Sequence, residues 1–270
     1  MSLFEFFLFV GVGCGIGFLA GLFGIGGGFI IVPILIFSYE YSGLSPSVLT
    51  HVSIGTSLFV IVFASLTSTY QHQRQKNIEW RIVLMVGLSS ALSAFATTRL
   101  AVALSGKHLQ LAFLVVILFT AIRMLTEGAP KVQKKIELIT QPSTIRLLMV
   151  GVVAGIVAAL AGIGGGVIII PMMVYFLNML LKLAIGTSSA TILIIAFFSV
   201  VGYIVNGLGH AELPEWSLGF IDLQRGVSLA IGSILLARVG AYVSFKTHPY
   251  RLRKLFACFI ILISIYMLLK

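Results

Sequence analysis

Long apolar stretches separated by short polar loops make up most of this chain. Many of these stretches approach the ~20 apolar residues that a helix needs to cross the hydrocarbon core of a bilayer. The stretch 29–37, which follows a glycine cluster, is too short for an ordinary span. The apolar segments cover residues 3–23, 29–37, 52–70, 82–104, 109–125, 147–160, 167–181, 185–205, 220–243 and 255–269. The pattern predicts an all-α polytopic membrane protein.

Composition and charge agree with that prediction. With 59% hydrophobic and 10% charged residues, the chain has more apolar surface than a soluble core of 270 residues can bury. The net charge is +10, but the Lys and Arg residues lie in the short loops between apolar segments. Such loop charges report orientation and do not indicate a nucleic-acid partner. The first segment has no basic residues before it, so we expect a retained helix and not a cleaved signal peptide.

A ten-residue motif occurs twice. GIGGGFIIVP at 24–33 returns as GIGGGVIIIP at 162–171, with eight of ten positions identical. Glycines upstream of the motif match at the same spacing, so the chain is an internal duplication. We predict a first transmembrane repeat over 1–126, a cytoplasmic linker over 127–143 and a second transmembrane repeat over 144–270.

The charges indicate that the two repeats point in opposite directions. The segment that ends at Tyr70 is followed by a basic loop, whereas its counterpart ending at Val205 is followed by a loop with two glutamates and no Lys or Arg. About five segments in each repeat would invert the second relative to the first, as in secondary transporters. Both chain ends would then lie outside the cytoplasm, although Lys107 and His108 argue against this orientation.

Three consecutive glycines inside an apolar segment favour a broken or re-entrant helix. A short helix would begin near Gly28 or Gly166, and its N-terminal N–H groups and positive dipole end would receive an anion inside the membrane. The alternative is close helix packing, which fits the four-residue spacing of Gly13, Gly17 and Gly21 better than three glycines in a row. The predicted binding glycines are Gly26, Gly27, Gly28, Gly164, Gly165 and Gly166.

Hydroxyl side chains are candidates to complete the shell around an anion. Each half carries a Gly-Thr-Ser triplet directly after its motif segment, with Thr56 and Ser57 in the first and Thr187 and Ser188 in the second. The alternative is that these hydroxyls bond their own helix backbone and assist packing. Further candidates are Ser189, His51 and Arg238.

Charged residues at the ends of apolar segments have a simpler interpretation. Arg99, Arg225 and Arg238 are expected to extend to the lipid headgroups, with attraction of an anion as the alternative. Asp222 and Glu79, which occupy equivalent positions in the two halves, are expected at the membrane interface.

Motifs for catalysis or cofactor binding are lacking in the sequence. The histidines and the two cysteines have no metal-ligand spacing, and the glycine motif lacks the Lys-Ser/Thr ending and the preceding strand of a phosphate-binding loop. No nucleophile, base and acid set is present. We therefore expect a protein that is not an enzyme and that uses no cofactor and no metal.

At these motifs the chain resembles the sulfite exporter TauE/SafE family of bacterial membrane transporters. The resemblance rests on the two glycine motifs ending in Pro33 and Pro171, on the Gly-Thr-Ser triplets, and on the stretch Asn77-Ile78-Glu79-Trp80-Arg81, and it extends over nearly the whole chain. It implies a multi-pass protein of the bacterial cytoplasmic membrane that moves sulfite, a sulfonate or another sulfur-containing anion. It also implies that the motif glycines line the site.

The sequence thus predicts a secondary transporter that exports sulfite or a small organosulfonate by alternating access. Its partners would be the small anion, the lipid bilayer and a coupling ion, either a proton or sodium. A passive anion channel is the alternative, and a membrane-embedded enzyme or assembly factor is a weaker one.

Overall fold

The computed structural model describes residues 3–23, 26–126, 142–210, 212–244 and 261. Within these residues the structure is nearly all helical, with one short β-hairpin. The elements are α1 (Leu3–Phe23), α2 (Gly28–Tyr41), α3 (Pro46–Arg74), α4 (Trp80–Ala103), α5 (Gly106–Thr126), α6 (Thr144–Ala161), α7 (Gly166–Phe176), α8 (Leu181–Gly207), β1 (Ser217–Leu218), β2 (Ile221–Asp222) and α9 (Leu223–Ser244). The predicted all-α fold is confirmed. The predicted linker lies almost entirely outside the described residues, as does the segment 255–269 apart from Ile261.

Six of the described helices are long and apolar enough to cross a membrane, namely α1, α3, α4, α6, α8 and α9. Large apolar side chains such as Leu92, Leu100 and Phe197 lie on the outer surface. A continuous apolar exterior of this kind is stable against lipid and not against water. By contrast α2 and α7 have 14 and 11 residues, or about 21 and 16 Å at 1.5 Å per residue, so neither can cross.

Two boundaries differ from the sequence pattern. The helix α7 ends at Phe176, five residues before the apolar stretch does, because Asn178 adopts a left-handed φ of 51° and the Met179 N–H bonds to the Met173 carbonyl. The apolar run that begins at Phe220 passes first through the β-hairpin, so that α9 begins only at Leu223. Apolar content fixed the position of these segments but not the turns inside them.

The first two helices form a hairpin. The Arg225 guanidinium lies 5.9 Å from the ring of Phe9, early in α1, and 4.4 Å from the ring of Tyr39, late in α2. Both helices therefore have one end at the same side of the molecule, with the glycine motif at the far end of the hairpin. The helix break predicted at the first motif is confirmed, since α1 ends at Phe23 and α2 begins at Gly28, and a re-entrant course through the membrane stays a prediction.

Close helix packing uses the glycines upstream of each motif. A Cβ on Gly17 would overlap the carbonyl oxygen of Ser233 in α9, and a Cβ on Gly155 would overlap that of Ser90 in α4. Gly13 and Gly21 approach α9 in the same way, as their four-residue spacing predicted. The helix that precedes each motif thus packs against the fourth helix of the other half. In the first half α1 packs against α9, and in the second half α6 packs against α4.

The centre of the molecule is formed by α3 and α8, which run antiparallel. Gly55 near the start of α3 lies against the Phe220 carbonyl, and a Cβ on Gly207 at the end of α8 would lie 2.7 Å from the Phe220 ring. Gly186 near the start of α8 lies against the Asn77 carbonyl, just beyond the end of α3. Equivalent helices that run in opposite directions support the predicted inverted repeats, although the repeat boundaries stay a prediction.

Candidate functional site

The glycine motifs interrupt two helices inside the protein. Gly26 and Gly27 have φ values of 80° and 78°, and α2 begins directly after them at Gly28. In the second half Gly164 and Gly165 have φ values of 72° and 76°, and α7 begins at Gly166. Left-handed φ values are strained for residues with a Cβ, so consecutive glycines allow the chain to reverse here. The predicted helix starts at Gly28 and Gly166 are confirmed.

The two motifs contact each other. A Cβ on Gly28 would overlap the carbonyl oxygen of Gly162 and would lie 2.7 Å from the Cα of Ile163. Gly26 and Gly164 both lie against the side chains of Ile61 and Ile192, which occupy equivalent positions on α3 and α8. Two hairpins entering from opposite sides thus meet at the α3 and α8 pair.

Not all of the predicted glycines face this contact. A Cβ on Gly27 would lie 2.8 Å from the side chain of Ile16 in α1, and a Cβ on Gly165 would lie 3.0 Å from the carbonyl oxygen of Ala154 in α6. These two glycines let each hairpin close on itself. Gly26, Gly28 and Gly164 are the ones that the fold brings to the centre.

Each interrupted helix presents its N-terminus to the protein interior. The carbonyl of Gly27 accepts the N–H groups of Ile30 and Ile31, and that of Gly165 accepts those of Ile168 and Ile169. Amides in the first turn of a helix have no carbonyl one turn before them, and the helix dipole places a partial positive charge at this end. The two helix starts therefore supply a positive potential at the point where the hairpins meet.

The threonines of the Gly-Thr-Ser triplets hold the opposite half in place. Thr56 Oγ1 accepts the backbone N–H of Asp222 at 2.9 Å, and Thr187 Oγ1 accepts that of Glu79 at 3.0 Å. These two bonds fix the starts of α9 and α4 and are equivalent to each other in the duplication. Their proposed part in anion binding stays a prediction, beside this packing role.

The serines of the triplets bond to backbone carbonyls. Ser57 Oγ donates to the Gly162 carbonyl at 2.8 Å, which joins α3 to the second motif, and Ser188 Oγ donates to the Ile185 carbonyl in its own helix at 2.8 Å. Ser57 thus bonds directly to a glycine motif. Anion binding by either serine also stays a prediction.

A narrow crevice beside the first motif carries hydroxyl groups, of which the sequence analysis singled out only that of Ser189. Its lining residues are Ala20, Gly26, Ala64, Ser65, Ser68, Ser189 and Ile192. The Oγ atoms of Ser68 and Ser189 are 3.2 Å apart, and both residues are buried. The space is narrower than a water molecule, so this conformation is closed around the motif. The available signal was the spacing of Ile61, Ser65 and Ser68 along one face of α3.

The hydroxyl groups that line the crevice are not all repeated at the equivalent positions of the duplication. In the duplication, Ser65 and Ser189 correspond to Ala196 and Leu58, and the partner of Ser68 is Ser199. Ser199 Oγ is buried and has no hydrogen-bond partner. The hydroxyls of Ser65 and Ser189 therefore have apolar counterparts in the duplication, whereas Ser68 has a serine as its counterpart.

The remaining candidates lie away from the crevice lining. His51 is buried, with Nδ1 3.2 Å from the Ser47 carbonyl, Nε2 3.1 Å from the Leu104 carbonyl and its ring 5.3 Å from that of Phe220. These contacts tie the start of α3 to the end of α4. Arg238 is exposed on α9. Neither is among the lining residues, and a role for either in binding stays a prediction.

Asp222 and Arg225 differ from their expected places. Asp222 is 3% exposed, and its Oδ2 lies 3.3 Å from Arg225 Nη1. The guanidinium is therefore bound to a carboxylate inside the protein and does not extend freely to headgroups. Sequence position near a segment end could not reveal this, because the pairing depends on how α9 begins after the β-hairpin.

Comparison with known proteins agrees with this architecture. The family model described as sulfite exporter TauE/SafE matches residues 9–267. A probable membrane transporter protein of Haemophilus influenzae is 32% identical over 260 residues, which is 96% of each chain. A probable membrane transporter protein of Methanocaldococcus jannaschii is 28% identical over 272 residues, which is 98% of each chain. No solved structure matches.

The match covers both glycine motifs, both triplets and the six candidate spans except for the first residues of α1, so the resemblance seen in the sequence is confirmed over the fold as a whole. The protein is a multi-pass membrane protein, and the chain belongs to the sulfite exporter TauE/SafE family of membrane transporters.

Proposed function

We propose that this transporter exports sulfite, or another small sulfur oxyanion or organosulfonate, across the bacterial cytoplasmic membrane by alternating access. The observation that carries the proposal is the contact between the two glycine motifs, where Gly28 meets Gly162 and Ile163 between α3 and α8. Two helix N-termini directed at one point inside a membrane protein form a site suited to an anion.

Helix ends alone do not suffice to bind an anion there. Each contributes about 1 kcal/mol, and up to ~2 kcal/mol when partly buried, which is small beside the cost of removing an anion from water. The hydroxyl groups of Ser65, Ser68 and Ser189 lie beside Gly26. Like the water molecules that they would replace, hydroxyl groups can donate hydrogen bonds to an anion. An oxyanion with several acceptor oxygens matches such a set of donors.

Alternating access is favoured over a passive channel by the closed crevice. A channel keeps a continuous path through which an ion passes, whereas the crevice beside Gly26 is narrower than a water molecule and must widen before an anion can enter. A carrier coupled to a proton or sodium gradient would widen it from one side at a time. A passive channel is the second candidate, and uptake that does not saturate would favour it.

We base the proposed location and direction on charge and chemistry. Basic loops around Arg74 to Arg81 and at Lys182 face the cytoplasm under the positive-inside rule. Export removes a reactive anion from the cytoplasm. We propose a transporter and not an enzyme, because the family to which the chain belongs is one of membrane transporters.

Uptake into proteoliposomes tests the proposal. Labelled sulfite, sulfoacetate, taurine and sulfate are each offered with and without imposed proton and sodium gradients. We expect saturable uptake of at least one sulfur anion that responds to one of the gradients. Gly27→Leu and Gly165→Leu should abolish uptake, because both residues have positive φ, whereas Gly11→Leu, at an open position of α1, should not. If none of the four anions moves and the motif variants leave cellular sulfite tolerance unchanged, the proposal fails.

A further inference from the structure

A buried polar cluster joins the end of α2 to the start of α9. Tyr39 Oη donates to Asp222 Oδ2 at 2.9 Å, and Arg225 Nη1 lies 3.3 Å from the same oxygen. Arg225 Nη2 donates to Ser42 Oγ at 2.7 Å, and the guanidinium lies over the Tyr39 ring at 4.4 Å. Four side chains from two distant parts of the chain are therefore held in one network.

The network is also bound to the backbone and to the central helix. Asp222 Oδ1 accepts the backbone N–H of Arg225 at 3.1 Å, which caps the first turn of α9. The Asp222 N–H is donated to Thr56 on α3. Tyr39 is fully buried and Asp222 nearly so. A buried ion pair keeps its value only while all of its partners are in place, so this cluster will form or break as a unit.

The equivalent end of the other half has no such cluster. In the duplication, Tyr39 and Ser42 correspond to Leu177 and Leu180, and Arg225 corresponds to Ile82. Asp222 corresponds to Glu79, whose side chain is exposed. Apolar packing is evidently enough to hold that end of the fold. The polar network at the α2 and α9 end is therefore not a requirement of the architecture, which leaves it available for a role in switching.

A second polar contact lies at the end of the molecule where α2 ends and α9 begins. Ser47 at the start of α3 donates a hydrogen bond to Glu212 in the loop before the β-hairpin. The Ser47 hydroxyl, and after it that of Ser45, hold the pKa of Glu212 below its usual value. This loop carries no Lys or Arg, which places it on the side opposite the basic loops.

We propose that Tyr39, Ser42, Asp222 and Arg225 form a lock that keeps the outer face of the transporter closed and that breaks once in each transport cycle. Its release lets the end of α2 separate from α9, while α1 stays packed on α9 through its glycines. The motion opens a path along α2 toward Gly28. The lock rests on the proposed alternating access, since a passive channel needs no such closure.

Accessibility of a buried cysteine tests the lock directly. Leu35 is fully buried one turn inside Tyr39 on α2. A Leu35→Cys reporter is placed in a chain carrying Cys14→Ser and Cys258→Ser, and it is labelled from the outer side of intact cells with a membrane-impermeant thiol reagent. Tyr39→Phe and Asp222→Asn should each raise the labelling rate about tenfold, because a hydrogen bond to a charged group shifts an equilibrium by roughly that factor or more.

The matched control is Glu79→Gln, which alters the residue equivalent to Asp222. It should leave the labelling rate at residue 35 unchanged. Equal labelling in all variants, or an equal increase with Glu79→Gln, would overturn the lock. If Asp222→Asn does not give monodisperse protein, Tyr39→Phe carries the test, because it removes a single oxygen atom. The labelling needs no substrate, so failure of every anion in the uptake assay, together with unchanged sulfite tolerance of the motif variants, would overturn the transport proposal and leave this result standing.

Discussion

Gly28 lies so close to Gly162 that any side chain on Gly28 would overlap the Gly162 carbonyl oxygen. The two residues belong to different halves of the chain, and each lies at the start or end of an interrupted helix. The position where glycine is required by space is therefore also the position where the two halves meet.

Replacement of Gly28 should be far more harmful than replacement of a glycine in open space. Gly28→Ala must push the two hairpins apart, and we expect most transport to be lost at equal amounts of reconstituted protein. Gly11→Ala is the control, because nothing lies within 4 Å of a Cβ there. Uptake of the anion identified in proteoliposomes measures both. Full activity of Gly28→Ala would show that the contact is not maintained during transport.

Packing glycines in the two halves should behave alike. Gly17→Ala and Gly155→Ala each place a Cβ against the backbone of a neighbouring helix, and overpacking typically costs about 1–3 kcal/mol. Both should lower the temperature at which half of the protein stays monodisperse in detergent. Gly15 lies on α1, as Gly17 does, but nothing is within 4 Å of a Cβ there. Gly15→Ala should therefore leave that temperature equal or raise it, since alanine is more favourable than glycine in a helix by about 1 kcal/mol. A loss in one half alone would argue against equivalent packing.

The triplet threonines can be assigned to packing or to binding by one pair of substitutions. Thr56→Val and Thr187→Val keep the side-chain shape but remove the hydroxyl oxygens that accept the N–H groups of Asp222 and Glu79. We expect each to cost about 1–3 kcal/mol of stability, visible in the same heating experiment. Thr→Ser variants retain the hydroxyl and should restore stability. Stable Val variants with a raised KM would assign the hydroxyls to the anion instead.

The hydroxyl-lined crevice predicts a difference between two equivalent serines. Ser68→Ala should raise the KM for the transported anion about tenfold, because a hydrogen bond to a charged ligand is lost. Ser199→Ala, its counterpart in the other half, removes a buried hydroxyl without a hydrogen-bond partner and should leave KM unchanged. Initial uptake rates over a range of anion concentrations separate the two. Equal effects of both variants would show that the crevice does not hold the anion.

Sequence patterns located the glycine motifs, the short helices after them and the packing role of Gly13, Gly17 and Gly21. They did so because each feature is local: a run of glycines, an apolar length and a four-residue spacing. Ser65 and Ser68 of the crevice and the Tyr39 and Asp222 cluster were missed, since each depends on residues more than a hundred positions apart.

The sequence by itself determined that the protein lies in lipid, that the chain is duplicated and where helices break. Each of these features depends only on the apolar length or the glycine content of a single segment. The tertiary structure decided which hydroxyls lie beside Gly26, which glycines face the centre and which carboxylate holds Arg225. Those outcomes depend on how hairpins from the two halves pack against α3 and α8, and no single segment carries that information. Two nearly identical motifs thus lie in unequal surroundings.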